Sequence, residues 1–394
     1  MQQDIIIEIK SLDMDGRGVG HLQNEDGTQG KVIFVEGALP GERVSFQSYR
    51  KKPKWEAGVM TTLHSESSLR VKPKCDYFGT CGGCQWQHID YERQLDFKRH
   101  MVAACLSDCG GFDAPPVLPT LAAPAPFGYR NHGRFSIGRR HRELGFTTHF
   151  RHRFMRIDRC PIMHPRINDV LAASQGLAQG HQLAVRFGER TGDMIVQPRQ
   201  ESADLPFASG QEALEEELLG RRYRISAAAF FQVNTLQAER LVDTVRSALD
   251  PRSDDVLLDL YCGVGVFGLT LAPLVRRVIG VEESAAALKD ARHNARDLDN
   301  VEFLAGRTEE VLTTIHEPVT VAIVDPPRIG CRPAALEALL GLTLRRLVYV
   351  SCDASTLARD LRVLVDGGFT LQYVQPVDMF PQTYHVETVS LLTK

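Results

Sequence analysis

From about residue 221 the chain alternates short apolar runs with helix-like segments, and this alternation narrows the choice of fold more than any other feature. The runs are "DDVLLDLYCG", "RRVIGVEE", "VEFLAG", "VTVAIVDPPR", "RRLVYVSC", "FTLQYVQPV" and "TVSLLTK"; "AAALKDARHNARDL" and "ASTLARDLRVLVDGG" are among the segments between them. Near-continuous apolar strands joined by helices predict a parallel α/β sheet covered on both faces. Ligands of such sheets sit at the carboxyl ends of the strands.

Two other regions precede it. Residues 1–63 read as short strands with glycine turns ("IIIEIKSL", "GVGHL", "GKVIFVEG", "GERVSFQSYR", "EAGVMTTL"), which predicts a small closed barrel. Residues 64–220 are less regular: a cysteine cluster, a helix-like "YERQLDFKRHMVAACL", a Pro/Gly-rich linker and arginine-rich strands. The expected organisation is therefore three domains, 1–63, 64–220 and 221–394, within the range that 394 residues allow. No run approaches the roughly 18 apolar residues of a membrane span. The opening "MQQDIIIEIK" lacks a secretory pattern, which predicts a cytoplasmic protein without membrane contact.

The net charge of −3 supplies no global attraction to nucleic acid. One segment departs from that average. Between Tyr129 and Arg159 stand nine arginines (130, 134, 139, 140, 142, 151, 153, 156, 159) against Glu143 and Asp158. Tyr129, Phe135, Phe146, Phe150 and Phe154 interleave with them. Such a segment is either a solvated hairpin or a phosphate-contacting face with stacking platforms. "YRKKPKW" places Arg50, Lys51, Lys52 and Lys54 between Tyr49 and Trp55, which suits an RNA-binding barrel or a charged loop.

"DLYCGVGVFGL" sets Gly263, Gly265 and Gly268 after a strand and before a helix, with Glu282 closing the next strand. Glycines admit close backbone approach, and the acid can accept from ribose hydroxyls. NAD and S-adenosylmethionine both satisfy that logic. "IVDPPR" fixes the Asp325 carboxylate at a strand end, where it can bind an amine or a base edge. A dehydrogenase has no need of it. Cys352 ends the fifth strand, and Asp353 or Ser355 can cap the helix that follows. A helix N-terminus favours a thiolate, so Cys352 is a candidate nucleophile; a buried inert thiol is the other reading. Glu387 opens the last strand on the side where the other strand ends converge. A thiolate and a carboxylate base in one pocket describe covalent catalysis with proton abstraction.

"FFQVN" (230–234), "DLYCGVGVFGL", "DPPRIG" (325–330), "YVSCDASTLARDL" and "FPQTYHVETV" (380–389) follow one another in this order, and together they resemble the RNA (uracil-5-)-methyltransferase family. The resemblance covers essentially the whole chain. It implies a Rossmann-like class I methyltransferase domain, an N-terminal OB-like (TRAM) barrel and a central α+β iron–sulfur domain. It also implies S-adenosylmethionine as cofactor, Cys352 as the nucleophile that adds to uracil carbon 6, and Glu387 as the base. Gln232, Tyr261, Glu282 and Asp325 fall at its cofactor- or base-contacting positions. The barrel and cluster together resemble members acting on 23S ribosomal RNA, with transfer RNA the alternative. Val266 and Arg307 depart from the family's pattern at two cofactor-contacting positions.

"CDYFGTCGGC" spaces Cys75, Cys81 and Cys84 as C-x5-C-x2-C, and Cys160 follows far downstream. Four thiolates can hold a cubane cluster or zinc; the resemblance favours [4Fe–4S]. Two rival functions remain: an iron–sulfur oxidoreductase using NAD, and a non-catalytic RNA-binding protein. The first leaves Cys352, Glu387 and "DPPR" unexplained, and the second leaves the Cys352–Glu387 pair unexplained. RNA is the expected partner, and a monomer with no obligate protein partner is the expected state.

Overall fold

In the computed structural model, which describes residues 5–23, 28–149 and 152–394, the first five strands close into a barrel. They are β1 (Ile6–Leu12), β2 (Gly18–Gln23), β3 (Gln29–Glu36), β4 (Arg43–Lys51) and β5 (Trp55–Ser65), in the order β1-β2-β3-β5-β4, with β1 pairing back onto β4. Period-two alternation drives the closure. Ile7, Ile9, Ile33, Val35 and Val44 point inward and are buried, while the residues between them face out. The turn carrying Lys52 and Lys54 joins β4 to β5, and the Arg50 guanidinium lies 5.3 Å from the Trp55 ring. Trp55 itself packs edge-on against Phe34.

Packing gathers the chain into two units. The first comprises Met1–Met101, Thr147–Met155 and Phe380–Tyr384; the second comprises Val102–Phe146, Arg156–Met379 and His385–Lys394. The sequence-based boundaries at 63 and 220 follow the chain, whereas this grouping follows contact in space. Helix α1 (Tyr91–Asp108) comes after the cysteine-bearing loop. Next come β6 (His132–Ile137), β7 (Leu144–Thr147), β8 (Phe154–Arg156), helix α2 (Pro165–Ala173), β9 (Gln182–Phe187) and β10 (Met194–Gln197). β9 stands between β10 and β6, and β7 lies beyond β6. Strands β11 (Ala213–Leu218) and β12 (Arg221–Ser226) form a separate antiparallel hairpin, and α3 (Thr235–Leu249) follows, capped by Asn234.

The arginine-rich segment corrects one expectation. Arg134, Arg139, Arg140, Arg142, Arg153, Arg156 and Arg159 are exposed, and Arg130 is half-buried. The aromatics between them are mostly not platforms. Tyr129 and Phe135 are buried, and Phe146 stacks on Phe135 at 5.4 Å; only Phe154 is exposed among those described. Strand alternation sends arginine out and the ring in, so interleaving in sequence becomes separation in space. Phe150 and Arg151 lie outside the described residues.

The remaining chain builds the sheet that carries the site. Its elements are β13 (Val256–Leu260), α4 (Val266–Leu271), β14 (Arg277–Glu282), α5 (Ala285–Asn294), β15 (Val301–Ala305), α6 (Thr308–Val311), β16 (Val321–Val324), α7 (Pro333–Leu340), β17 (Arg346–Ser351), α8 (Ala354–Asp366), β18 (Thr370–Val377) and β19 (Glu387–Thr393). The order is β15-β14-β13-β16-β17-β19-β18. The first five are parallel, as the sequence predicts, but β19 runs antiparallel to both β17 and β18. No helix separates β18 from β19, so their connection is a hairpin and not a crossover. Strand order reverses between β13 and β16, and the carboxyl ends there are where such sheets bind ligands. The strand order fits the Rossmann-like class I domain that the sequence resemblance implies. Among the described residues no helix is long and apolar enough to cross a membrane.

Gly268 shows how tightly this end is packed. Its N–H donates to Asp259 Oδ2 at 2.8 Å, and an added Cβ would stand 2.8 Å from that oxygen and 3.0 Å from Val278 Cγ1. Both neighbours are buried. Gly268→Ala should therefore destabilise the protein by about 1–3 kcal/mol through overpacking, read as a lowered denaturant midpoint; an unchanged midpoint would refute this account of the glycine.

Candidate active site

Every residue predicted for cofactor or catalysis lies in the second unit, and all but Gln232 lie on the carboxyl-end side of the sheet. Gln232 belongs to the segment between β12 and α3. That segment is pinned from below: Asn131 Nδ2 donates to Gln232 O (3.2 Å) and Thr235 Oγ1 (2.9 Å), and Arg186 Nη2 donates to Ala229 O (3.0 Å). Tyr261 leaves β13 with φ +61°, a left-handed conformation that a non-glycine residue adopts at a cost. Gly263 and Gly265 also have positive φ. No atom lies within 4 Å of where a Gly263 Cβ would stand, so that position is open space. Gln232, Tyr261, Gly263 and Asp325 line one cavity there, with Val266 in its wall and Phe230 at its edge. Glu282 ends β14 and accepts from the N–H of Gly263 (2.9 Å) and of Ser284 (2.7 Å). Arg307, by contrast, is exposed and pairs with Glu283 and Glu310.

The two catalytic candidates meet through strand register. Ser351 pairs with Thr388 across β17 and β19, and Thr388 Oγ1 donates to Ser351 O at 3.0 Å. Cys352 is the next residue after one partner, and Glu387 the one before the other. Antiparallel pairing therefore brings thiol and carboxyl to the same edge. Burial first, then the Glu387 carboxyl, pushes the Cys352 thiol up to about 11. Arg328, nearby, opposes this by its positive charge. Glu387 is itself buried, and its acidity is weakened well beyond the usual carboxylate range by burial and by the neighbouring Asp325. Asp325 shifts the same way, through burial and the Asp259 carboxyl.

The helix-terminus argument for the thiolate fails here. Asp353 caps α8, and its Oδ1 accepts from the N–H groups of Ser355 (3.0 Å) and Thr356 (3.1 Å). A carboxylate already occupies the place where the helix would welcome an anion. The counter-charge is Arg328 instead. Sequence reasoning missed that residue, although "DPPR" contains it. Helix α8 fixes its loop: Thr356 Oγ1 donates to Arg328 O (3.0 Å), Arg359 Nη2 donates to Ile329 O (2.8 Å), and Asp360 Oδ2 accepts from Cys331 N–H (2.7 Å) and Tyr349 O–H (2.6 Å). Phe230 was also missed; its ring is 72% exposed, unusual for a phenylalanine beside a cavity.

A model of the tRNA (uracil-5-)-methyltransferase family matches residues 210–319 and 318–394. An uncharacterized RNA methyltransferase of Gloeobacter violaceus is 36% identical, aligning with 100% of this chain and 97% of the relative. Another from Thermosynechococcus vestitus is 37% identical, over 100% and 99%. The chain belongs to the RNA (uracil-5-)-methyltransferase family. Among solved structures, the tRNA (uracil-54, C5)-methyltransferase of Pyrococcus abyssi, in complex with S-adenosyl-L-homocysteine, is similar over 99% of this chain and 100% of its own, with a TM-score of 0.77 and 26% identity.

This family member is thus an RNA methyltransferase with S-adenosylmethionine as methyl donor. The open space above Gly263 and the carboxyls of Glu282 and Asp325 fit a ligand that bears hydroxyls and a positive charge. The cysteine set is less assembled. Cys75, Cys81 and Cys84 lie in the first unit and Cys160 in the second. Gly83 N–H points at Cys81 Sγ (3.4 Å), and Cys81 and Cys84 line one cavity. Among the described residues, no three His, Cys, Asp or Glu side chains are gathered as a metal site.

The acidity of Cys352 generates a pH prediction. Alkylation of Cys352 by iodoacetamide, followed by peptide mass spectrometry, should rise about tenfold per pH unit between about pH 7 and pH 9, because the thiolate fraction is still far from saturation. Arg328→Ala should slow it at every pH in that range by raising the thiol further. A plateau reached near neutrality would contradict this environment.

Proposed function

We propose that this protein methylates carbon 5 of a specific uridine in RNA through a covalent bond between Cys352 and carbon 6. The observation that carries the proposal is the juxtaposition of half-buried Cys352, exposed Arg328 and buried Glu387 at one strand edge. Uracil carbon 5 is a poor nucleophile. Addition of the Cys352 sulfur to carbon 6 moves the ring's π electrons onto carbon 5 and the carbon 4 carbonyl, which makes carbon 5 nucleophilic. Bound S-adenosylmethionine supplies the electrophilic methyl group. Gly263, Gly265, Glu282, Tyr261, Gln232 and Asp325 are the residues that would hold it.

Arg328 has two roles in this reading. It lowers the cost of forming the sulfur anion, and its guanidinium can stabilise negative charge that develops on the ring. After methylation, Glu387 takes the carbon 5 proton, the carbon–sulfur bond breaks, and the ring double bond returns with the thiolate released. A carboxyl whose proton affinity is raised by burial suits this task, because a base works best when its pKa approaches the working pH. The neighbouring Asp325 carboxyl raises the proton affinity of Glu387 further and so strengthens it as a base. The target base must leave its stack to reach the site.

Two target RNAs are in view. The sequence resemblance favours 23S ribosomal RNA. The similarity to the Pyrococcus abyssi enzyme over nearly the whole of both chains favours transfer RNA. Mapping 5-methyluridine in both RNA pools, with and without this protein, decides between them. Loss of the mark from neither pool would overturn the function.

Two variants test the chemistry. Glu387→Gln should accumulate an RNA–protein adduct stable on a denaturing gel, since the methylated intermediate can no longer lose its proton. Cys352→Ala should lose methylation by at least about 1,000-fold while keeping RNA affinity. Absence of any adduct in the first variant, or turnover in the second, would refute the assignment.

We also propose that Cys75, Cys81, Cys84 and Cys160 bind a [4Fe–4S] cluster, supported by their spacing and the family resemblance. No step of the reaction passes through it. Protein purified without oxygen should be brown and contain iron and sulfide. A colourless, zinc-containing protein would overturn this assignment.

A further inference from the structure

Strand β12 begins "RRYRIS", and α5 ends in "ARHN". Arg221, Arg222 and Arg224 from the hairpin, and His293 and Arg296 from the end of α5 and just beyond, surround a cavity of about 440 Å³. Two acids share its wall, Glu215 and Asp297. Part of this charge is internally matched. Arg224 bonds the buried Asp290, and Arg221 binds Asp297 through both terminal nitrogens (3.1 and 2.6 Å). Arg222, 69% exposed, pairs with Glu215 at 3.5 Å and with Glu217 at 3.9 Å. Arg296 turns its guanidinium to the His293 ring and not to a carboxylate. Arg221 Nε is buried with no acceptor among the described residues.

An orphaned guanidinium donor beside Arg296, whose guanidinium faces an imidazole, and the largely exposed Arg222 suits an anion with several acceptor oxygens. The pocket is also tied to the methyl-donor loop. Asn294 accepts from Arg224 N–H (2.7 Å) and donates through Nδ2 to Arg224 O (3.1 Å) and Val264 O (3.2 Å). Tyr223 O–H, between the arginines, reaches Val266 O (3.3 Å) and Thr270 Oγ1 (2.7 Å). A group seated there is held at a fixed offset from the glycine loop. An enzyme whose net charge is −3 must attract a polyanion through such local sites.

We propose that this pocket binds a backbone phosphate of the substrate RNA, an inference that rests on the RNA methyltransferase reading. The phosphate would take Arg222, Arg296 and the free Arg221 Nε as its donors, and it would set the RNA's register relative to the cofactor loop. None of the three residues belongs to the catalytic site.

The test is fluorescence anisotropy with a labelled oligouridylate of about 20 nucleotides across a salt series. Arg222→Glu/Arg296→Glu should weaken binding about tenfold near 0.1 M salt. It should also make the slope of log affinity against log salt shallower by about 0.7 for each phosphate that is no longer neutralised. Arg222→Lys/Arg296→Lys should keep the slope, and S-adenosylhomocysteine binding should be equal in all three proteins. Unchanged affinity and slope in the glutamate variant would overturn the proposal while leaving the enzyme an RNA binder. Calorimetry with inorganic phosphate separates a second source of the same chemistry. Saturable phosphate binding that the glutamate variant loses, without any change in its RNA slope, would assign the pocket to a free anion and overturn the RNA assignment. A wild-type protein that does not bind the oligonucleotide at all would overturn both this proposal and the reading beneath it.

Discussion

The antiparallel ladder between β17 and β19 is the constraint on which the site depends. Six registered pairs, from Arg346–Thr393 to Ser351–Thr388, fix where each strand stops. A one-residue slip would turn every side chain of β19 to the opposite face and carry Glu387 away from Cys352. The sheet interior makes such a slip costly, because Leu347, Val348, Val350, Val389 and Leu392 are buried. The reactive geometry thus comes from ordinary apolar packing several residues away.

A second layer of control comes from α8. Its first turn carries Asp353 and Thr356, and its second carries Arg359 and Asp360. Thr356, Arg359 and Asp360 hold the loop from Pro327 to Cys331 by bonds to backbone groups, and this loop presents Arg328. The helix therefore acts on the thiol by placing a guanidinium, not through its dipole. Removing the carboxylate of Asp360, the buried member of that set, would leave the N–H of Cys331 without its acceptor.

Much of this was legible in the chain. The glycine loop, Glu282, Asp325 and Cys352 could be found because each sits where an apolar run stops, and Glu387 because it sits where one starts; apolar runs mark strands. The barrel was legible for the same reason. Three things were not. The antiparallel end of the sheet depends on the connection between the last two strands, and an apolar run does not state its direction. Phe135 and its neighbours looked like stacking platforms because sequence proximity to arginine says nothing about which face of a strand a ring takes. Arg328 stood inside a quoted motif, yet only the fold brings it to the sulfur, since the contact joins residues that two different strands deliver. The acidity of Cys352 was misjudged because the Asp353 carboxylate silences the amides that were expected to stabilise its anion.

Strand β19 is the last of the seven to emerge during synthesis, yet it lies inside the sheet, between β17 and β18. Until it arrives, both neighbours present open backbone edges that could pair with another chain. Assembly of this half of the molecule is accordingly long-range and slow by nature. The strand that seals those edges also delivers Glu387, the proton acceptor we propose. A nascent chain can display Cys352 early, but Glu387 reaches it only when β19 pairs with β17, so the strand that closes the open edges also brings the two side chains together.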